Sequence, residues 1–268
     1  MAQDYAASVQ GVSMRVTRLN SNLTLEKNGT TTHAISYTTS AFIRVSFTPE
    51  YEEGDEVTEK AADGTVCVSF KAPDTLKRVN LELAICEPDP ELTHILSGGI
   101  LLTKNYTIGT ATVEQAVGWS SADVGEDPSR NGVAVEVWSQ AVQAGKRAAT
   151  RPYFHWIFPY VKVRPSGDRV IENGLLANTF EGFGLGNDQF GAGPDGFWEW
   201  PLATERPYSY ARSDDAPVGY KGLHTWNPTT GAATTYTGFD AGAAGFNTDP
   251  AQGTLDYIYR SAEAAEAP

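Results

Sequence analysis

Cys67 and Cys86 are the two cysteines of the chain, and both lie in TVCVSFKAPDTLKRVNLELAIC, residues 65 to 86. Two thiols can close a disulfide, ligate a metal or supply a nucleophile, and each chemistry sets its own spacing. The stretch reads as two alternating strands. Val66, Val68 and Phe70 share a face with Val79, Leu81, Leu83 and Ile85, while both cysteines fall on the polar face with Ser69, Lys71, Arg78, Asn80 and Glu82. A hairpin with its turn at 72–77 sets Cys67 opposite Glu82, four residues short of Cys86. Four residues of strand are roughly 14 Å, and a disulfide needs Cα atoms within about 7 Å. The pattern predicts two reduced thiols.

Metal and acid–base chemistry find little more. His33, His94, His155 and His224 are scattered, with no His-x-x-x-His and no Cys-x-x-Cys. His155 stands beside Trp156 in an apolar run, where a core or interface role is expected. There is no Gly-x-Ser-x-Gly elbow. Glu181 and Glu199, with Trp198 and Trp200 nearby, have the residue types of a glycosidase pair, but a β protein of this size offers such pairs by chance. Gly182, Gly184 and Gly186 lack the Lys-Ser/Thr of a phosphate loop and read as bulges or close backbone approaches. The expectation is no enzyme, no catalytic residue, no metal and no cofactor.

The elements that carry these residues are mostly strands. Residues 11–19, 34–48, 99–108, 132–142, 153–164, 174–185 and 255–260 have β character, with Ile43, Val45 and Phe47 sharing one face. The run 153–164 is apolar on both faces, which suits a central strand or one that meets another subunit. Pro159 should force an edge or a bulge in it. One helix is punctuated at 89–97: Asp89 suits the N-cap, Pro90 the first turn, Glu91 the positive helix start, and Gly98 the stop. Leu92, Ile95 and Leu96 give it an apolar stripe. Residues beyond Gly186 are loop-like, and 261–268 read as a frayed tail.

Composition agrees. The 268 residues include 26 Gly, 15 Pro, 6 Trp, 12 Tyr and 11 Phe, which favours short strands and turns over long helices. The net charge of −13 argues against a surface that grips nucleic acid or an anionic membrane. Nothing approaches 18 consecutive apolar residues, so no membrane span is expected. No secretory leader is recognisable, so the sequons at Asn22, Asn28 and Asn105 are expected to stay unmodified. The charge is uneven. PEYEEGDEVTEKAADG, residues 49–64, holds Glu50, Glu52, Glu53, Asp55, Glu56, Glu59 and Asp63 against Lys60 alone. Such a run cannot be buried cheaply and reads as an exposed loop or long hairpin.

MRVTRL near the start, then VSFTPEYEEGDEV, then DGTVCVSFKAPDTLKRVNLELAICEPDPEL, and later GAGPDGFWEWP, together resemble the major tail protein of long-tailed phages infecting actinobacteria. The resemblance covers about residues 10–202. It implies a mainly β tail-tube fold, two packed, roughly orthogonal β-sheets with one short flanking α-helix. It implies hexameric rings stacked into a tube that conducts double-stranded DNA through its lumen without specific binding. The location implied is the virion tail, after assembly in the bacterial cytoplasm. The implied partners are other copies of the chain and the tape measure, tail terminator and distal tail proteins. On this view 1–202 is the tube domain, and 203–268 a loop-rich extension that could carry a small β decoration. The acidic loop, with Glu50, Glu52, Glu53, Asp55, Glu56 and Glu59, is the assembly element. Two other readings stay open. One is the tube of a related secretion system. The other is a monomeric β-sandwich that binds carbohydrate on Trp198, Trp200, Tyr208, Tyr210 and Trp226.

Overall fold

The computed structural model describes residues 6–26, 34, 36–86, 89–108, 111–125, 127, 132–166, 178–194, 198, 200–214, 216, 225–226 and 233–234. The expected strand at 255–260 and the tail at 261–268 lie outside them. In chain order the elements are β1 (Ala7–Arg18), β2 (Ser36–Thr39), β3 (Phe42–Glu52), β4 (Glu56–Lys60), β5 (Val66–Lys71), β6 (Thr75–Ile85), α1 (Pro90–Ser97), β7 (Ile100–Ile108) and β8 (Ala111–Ser120). They continue with β9 (Val133–Gln143), β10 (Lys146–Arg147), β11 (Tyr153–Pro165), β12 (Asn178–Leu185), β13 (Ser209–Ser213), β14 (Thr225–Trp226) and β15 (Ala233–Thr234). The protein is mainly β, and every strand pairing among the described residues is antiparallel.

Nine strands form one sheet in the order β2-β1-β9-β11-β12-β6-β3, with β10 on β9 and β13 on β11. β11 is the central strand its apolar faces predict, and it joins two halves. Its first part, Tyr153–Phe158, lies between β9 and β13. Its last part, Tyr160–Pro165, pairs with β12. The ladder to β9 slips between Phe158 and Val161, around Pro159. Proline has no N–H to give, so the bulge falls there. A strand that changes neighbours through a bulge is how a sheet turns a corner. Where the resemblance implies two packed sheets, the described residues form one nine-stranded sheet, and β4-β5, β7-β8 and β14-β15 are separate two-stranded pairs.

The halves close on a shared core. Met14, Val16, Val135, Val137 and Phe158 from one half meet Val79, Leu81, Leu83, Ile85 and Phe180 from the other. Each such side chain contributes about 1.5–3 kcal/mol when fully buried. Phe42 of β3 fills the space that a side chain at Gly11 of β1 would need. A bulge between Phe42 and Arg44 shifts the register of β3. Ile43 is consequently 53% exposed, whereas the alternation put it on one face with Val45 and Phe47, which pack on the core.

The helix forms as its punctuation predicts. The Asp89 carboxylate accepts from the backbone N–H groups of Glu91 (3.0 Å) and Leu92 (3.3 Å), Pro90 opens the first turn, and Gly98 takes a positive φ of 70°. Leu92, Ile95 and Leu96 enter the main core.

Several expectations need correction. Residues 65–86 are not a hairpin. β5 pairs with β4, and β6 pairs with β3 and β12. Residues 72–74 are a joint between two successive strands rather than a turn, because Pro73 interrupts the ladder. Cys67 and Cys86 are free, and on the order of 60 Å of extended chain separates them, so the shorter hairpin spacing does not apply. The run 109–131 contributes β8, which the sequence did not suggest. In the expected loop-rich region, β13 hydrogen-bonds into the main sheet.

Candidate functional site

The strands β3 and β6 leave the body as a pair and continue as β4 and β5, making one long two-stranded arm. Glu52 faces Thr75, then Glu56 faces Lys71, Val57 faces Phe70, Thr58 faces Ser69 and Glu59 faces Val68. The chain turns back at 61–65, where the Ala61 N–H donates to the Thr65 carbonyl and the Asp63 carboxylate accepts from the Thr65 hydroxyl and backbone N–H. Those two bonds to Asp63 hold its carboxyl below the usual carboxylate range.

Residues 55–60 and 62–71 are all exposed. Val57, Val66, Val68 and Phe70 are among the most exposed large apolar side chains of the described residues, Phe70 at 61%. An isolated two-stranded ribbon is marginal in water, and this one carries an apolar strip that the other described residues leave exposed. The alternation of 66–70 is correct, but its partner is solvent.

The six acidic residues expected to mark the assembly element divide along this arm. Glu50 sits at its base, where Arg78 Nε (2.7 Å) and Asn80 (3.0 Å) donate to its carboxylate. The Arg78 bond, then the Asn80 bond, lowers its pKa. Glu52 ends β3, Glu53 and Asp55 lie in the joint, and Glu56 and Glu59 are on β4. The joint is built rather than slack. Ala72 N–H donates to Asp55 O (2.9 Å), Gly54 N–H donates to Asp74 Oδ1 (3.1 Å), and Lys71 lies 3.8 Å from Asp74.

The polar face of β6 belongs to a broad concavity shared with β3, β11 and β12. It is laced with ion pairs: Arg44–Glu82, Arg78–Glu50 (2.7 Å), Lys162–Asp127 (3.2 Å) and Arg164–Glu181 (3.0 Å). Four cations meet four carboxylates, so this face is charge-balanced while the arm is strongly acidic. Glu181 is one of these partners, and Glu199 lies outside the described residues.

On the opposite half, the outer face of β1, β9 and β11 is buried too. Phe190, Trp198 and Leu202 lie over it and form a second core with Leu19, Ala134 and Ile157. Beneath lies a polar triad missed in the sequence. Arg15 Nε donates to Glu136 Oε2 at 2.7 Å, and His155 Nε2 donates to Glu136 Oε1 at 3.0 Å. His155 stacks on Trp138 at 4.2 Å and meets the edge of Trp198 at 5.3 Å. Burial pushes the Glu136 carboxyl up, but the Arg15 charge and the His155 hydrogen bond outweigh it and leave it at about 2. Burial also pushes the His155 imidazole down, against the opposing pull of Glu136. Enclosed on both sides, the triad is a structural ion pair. Arg15 and His155 are each 1% exposed and Glu136 is fully buried.

Of the aromatic residues that could form a sugar-stacking surface, Trp198 is buried, Tyr208 packs on Phe47, and Trp200 and Tyr210 are half exposed. The side chain of Trp226 is outside the described residues. No group of three or more His, Cys, Asp or Glu among the described residues could hold a metal ion, and no helix among them is long and apolar enough to cross a membrane.

No protein-family model matches the chain, and no curated protein matches it.

Proposed function

We propose that this chain is a structural protein that assembles with copies of itself into rings and stacked rings, as the tail-tube subunit of a long-tailed phage. One observation carries the reading: an acidic arm with Val57, Val66, Val68 and Phe70 exposed along it. Such an arm is a liability in a monomer. In an assembly it is a contact. The finer fold assignment, to the tail-tube type, rests on the resemblance and is compatible with a corner-turning sheet flanked by one short helix.

A conduit for DNA has to let phosphates pass. Lysine and arginine side chains hold DNA by releasing counterions. The concave face of β3, β6, β11 and β12 sets each of its four named cations against a carboxylate, which suits a wall that does not bind. In this reading the polar face of β6 serves the lumen and the arm serves assembly. The tape measure, tail terminator and distal tail proteins would be met at the ends of the tube.

The test is direct. The purified protein is concentrated and examined by negative-stain microscopy and sedimentation velocity, beside Phe70→Asp. Phe70 is exposed, so the substitution leaves the body folded. Rings or tubes about 100 Å across, the size of six such domains around a bore, are expected for the parent and not for the variant. A strictly monomeric parent at millimolar concentration would overturn the proposal.

A further inference from the structure

We infer that the arm is received by the β9–β10 turn of a second copy of this chain, where Lys146 and Arg147 meet its acidic side chains. The inference rests on the self-assembly reading and names the surface that the reading needs.

On this acidic protein the turn is where described cations are left over. Arg15, Arg18, Arg44, Arg78, Lys162 and Arg164 each meet a carboxylate. Lys60, Lys71 and Lys77 belong to the arm and its base, and Arg206 directly follows Glu205. Arg212 donates to the carbonyls of Arg151 and Thr150, and the Arg151 guanidinium lies over the Trp200 ring. Lys146 and Arg147 stand side by side, both exposed, and neither has a carboxylate partner. From 137 to 167 the chain holds Lys146, Arg147, Arg151, Lys162 and Arg164 and no acid. The acids nearest the turn in fold or sequence are Asp214, which accepts from the Arg151 N–H at 2.9 Å, and Asp4 and Asp215, which lie outside the described residues. Against Lys146, Arg147, Arg151 and Arg212 these three acids leave the region positive.

The turn is also preformed. Ala144 and Gly145 both take positive φ, 48° and 77°, as a two-residue hairpin turn requires. Lys146 then faces Gln143, and Arg147 faces Val142. Arg147 donates to the Tyr153 hydroxyl, and its guanidinium lies 4.7 Å from the centre of the Tyr153 ring. A cation held in place loses little freedom when it meets a carboxylate.

The arm is the complement. From Glu52 to Lys77 it carries Glu52, Glu53, Asp55, Glu56, Glu59, Asp63 and Asp74 against Lys60, Lys71 and Lys77. Glu56 faces Lys71, which lies 3.8 Å from Asp74, so those acids are answered within the arm. Glu53, Asp55 and Glu59 are exposed and have no cation partner. Charge complementarity selects the surface that the arm meets, while Val57, Val68 and Phe70 supply apolar area to bury. Residues 55–60 and 62–71 are exposed in their own chain, so the turn that receives them is another copy's. The contact is head-to-tail, with a different surface on each partner, the kind that closes into rings.

Charge reversal tests both sides. Glu53→Lys, Asp55→Lys and Glu59→Lys together leave the arm with six bases against four acids. Lys146→Glu with Arg147→Glu makes the turn acidic. All five side chains are exposed, and circular dichroism with thermal unfolding checks that each variant folds. Lys146→Glu alone, which leaves Arg147 on Tyr153, is the milder turn variant. By sedimentation velocity, the arm variant or the double turn variant alone sets like charge on like. Each should need about tenfold or more protein to assemble. Mixed in equal amounts, the two should assemble together, one to one and near parental strength. Each basic arm then finds an acidic turn, and each acidic arm a basic one. If both turn variants assemble at parental strength alone, or if the mixture does not recover, the proposal fails while self-assembly stands. If the turn variants assemble normally but lose a retention on double-stranded DNA that the parent shows, the two cations serve phosphate and the proposal fails likewise. If the parent never assembles, the self-assembly reading itself fails.

Discussion

Gly54 and Ala72 cross at the joint of the arm so closely that a side chain on Gly54 would fall on the Ala72 carbonyl group. The obstacle is backbone, which cannot swing aside as a side chain can. Around it, Asp55 O and Asp74 Oδ1 take the N–H groups of Ala72 and Gly54. Gly54→Ala must therefore shift the two strands apart and redirect the arm. None of the main core packs on this joint, so thermal unfolding of the body should stay within about 2 °C, less than 1 kcal/mol for a protein of this size. Assembly, read by sedimentation velocity, should fail. A large loss of Tm would mean that the joint holds the body rather than the arm.

Arg15 and Glu136 are each buried and meet at 2.7 Å. Removing one charge strands the other in a low-dielectric site. Glu136→Gln or Arg15→Met alone should cost about 3–5 kcal/mol in denaturant unfolding. The double variant should cost less than the sum by about 1–3 kcal/mol, because the introduced amide still offers an oxygen to His155 and no lone guanidinium remains. Additive losses would show that the two side chains act separately.

The Asp89 carboxylate serves three donors: two backbone N–H groups at the start of α1 and the Tyr37 hydroxyl. Asp89→Ala should cost about 1–2 kcal/mol, while Asp89→Asn keeps a cap and most of the stability. Equal losses for the two in denaturant unfolding would place the Asp89 contribution in its charge instead.

What was legible in the sequence follows the range of the interaction. The helix could be bounded from Asp89, Pro90 and Gly98, because capping is decided within a few residues. The bulge at Pro159 could be read from one missing N–H. Partnership could not. Val66, Val68 and Phe70 alternate just as Val79, Leu81 and Leu83 do, and alternation gives a shared face without saying what covers it. The joint at Gly54 and Ala72 was not read from the sequence, because it depends on which strands face each other. Arg15 and Glu136 sit where a solvated face would put them. Phe190, Pro194, Trp198 and Leu202, more than 170 residues beyond Arg15, turn that face into an interior. Trp198 and Leu202 likewise reach Ile157, and Tyr210 reaches Trp156, only once the chain is folded. The exception is charge: the acidic run 49–64 announced an exposed feature, and its seven acids run from Glu50 at the arm's base to Asp63 at its tip.

Acid should loosen this protein in two stages, both from the same triad. His155 is buried and its imidazole is held below its ordinary value of 6.5. A group whose folded pKa is depressed binds fewer protons folded than unfolded, so its stabilisation is present above the unfolded pKa and is lost as pH falls below it. His155 therefore contributes fully above about pH 6.5, and the loss begins there. Glu136 has the same sign in a lower window. Its carboxyl titrates at about 2 in the folded protein against an ordinary 4.5, so its share is intact above about pH 4.5 and fades toward pH 2. Stability measured by urea unfolding should be level near neutrality, decline gently from about pH 6.5, and fall steeply below about 4.5. His155→Gln should remove the first decline and keep the second, since glutamine cannot take up a proton and its amide can still donate to Glu136. An unchanged decline between about pH 6.5 and 4.5 in that variant would assign it to other groups.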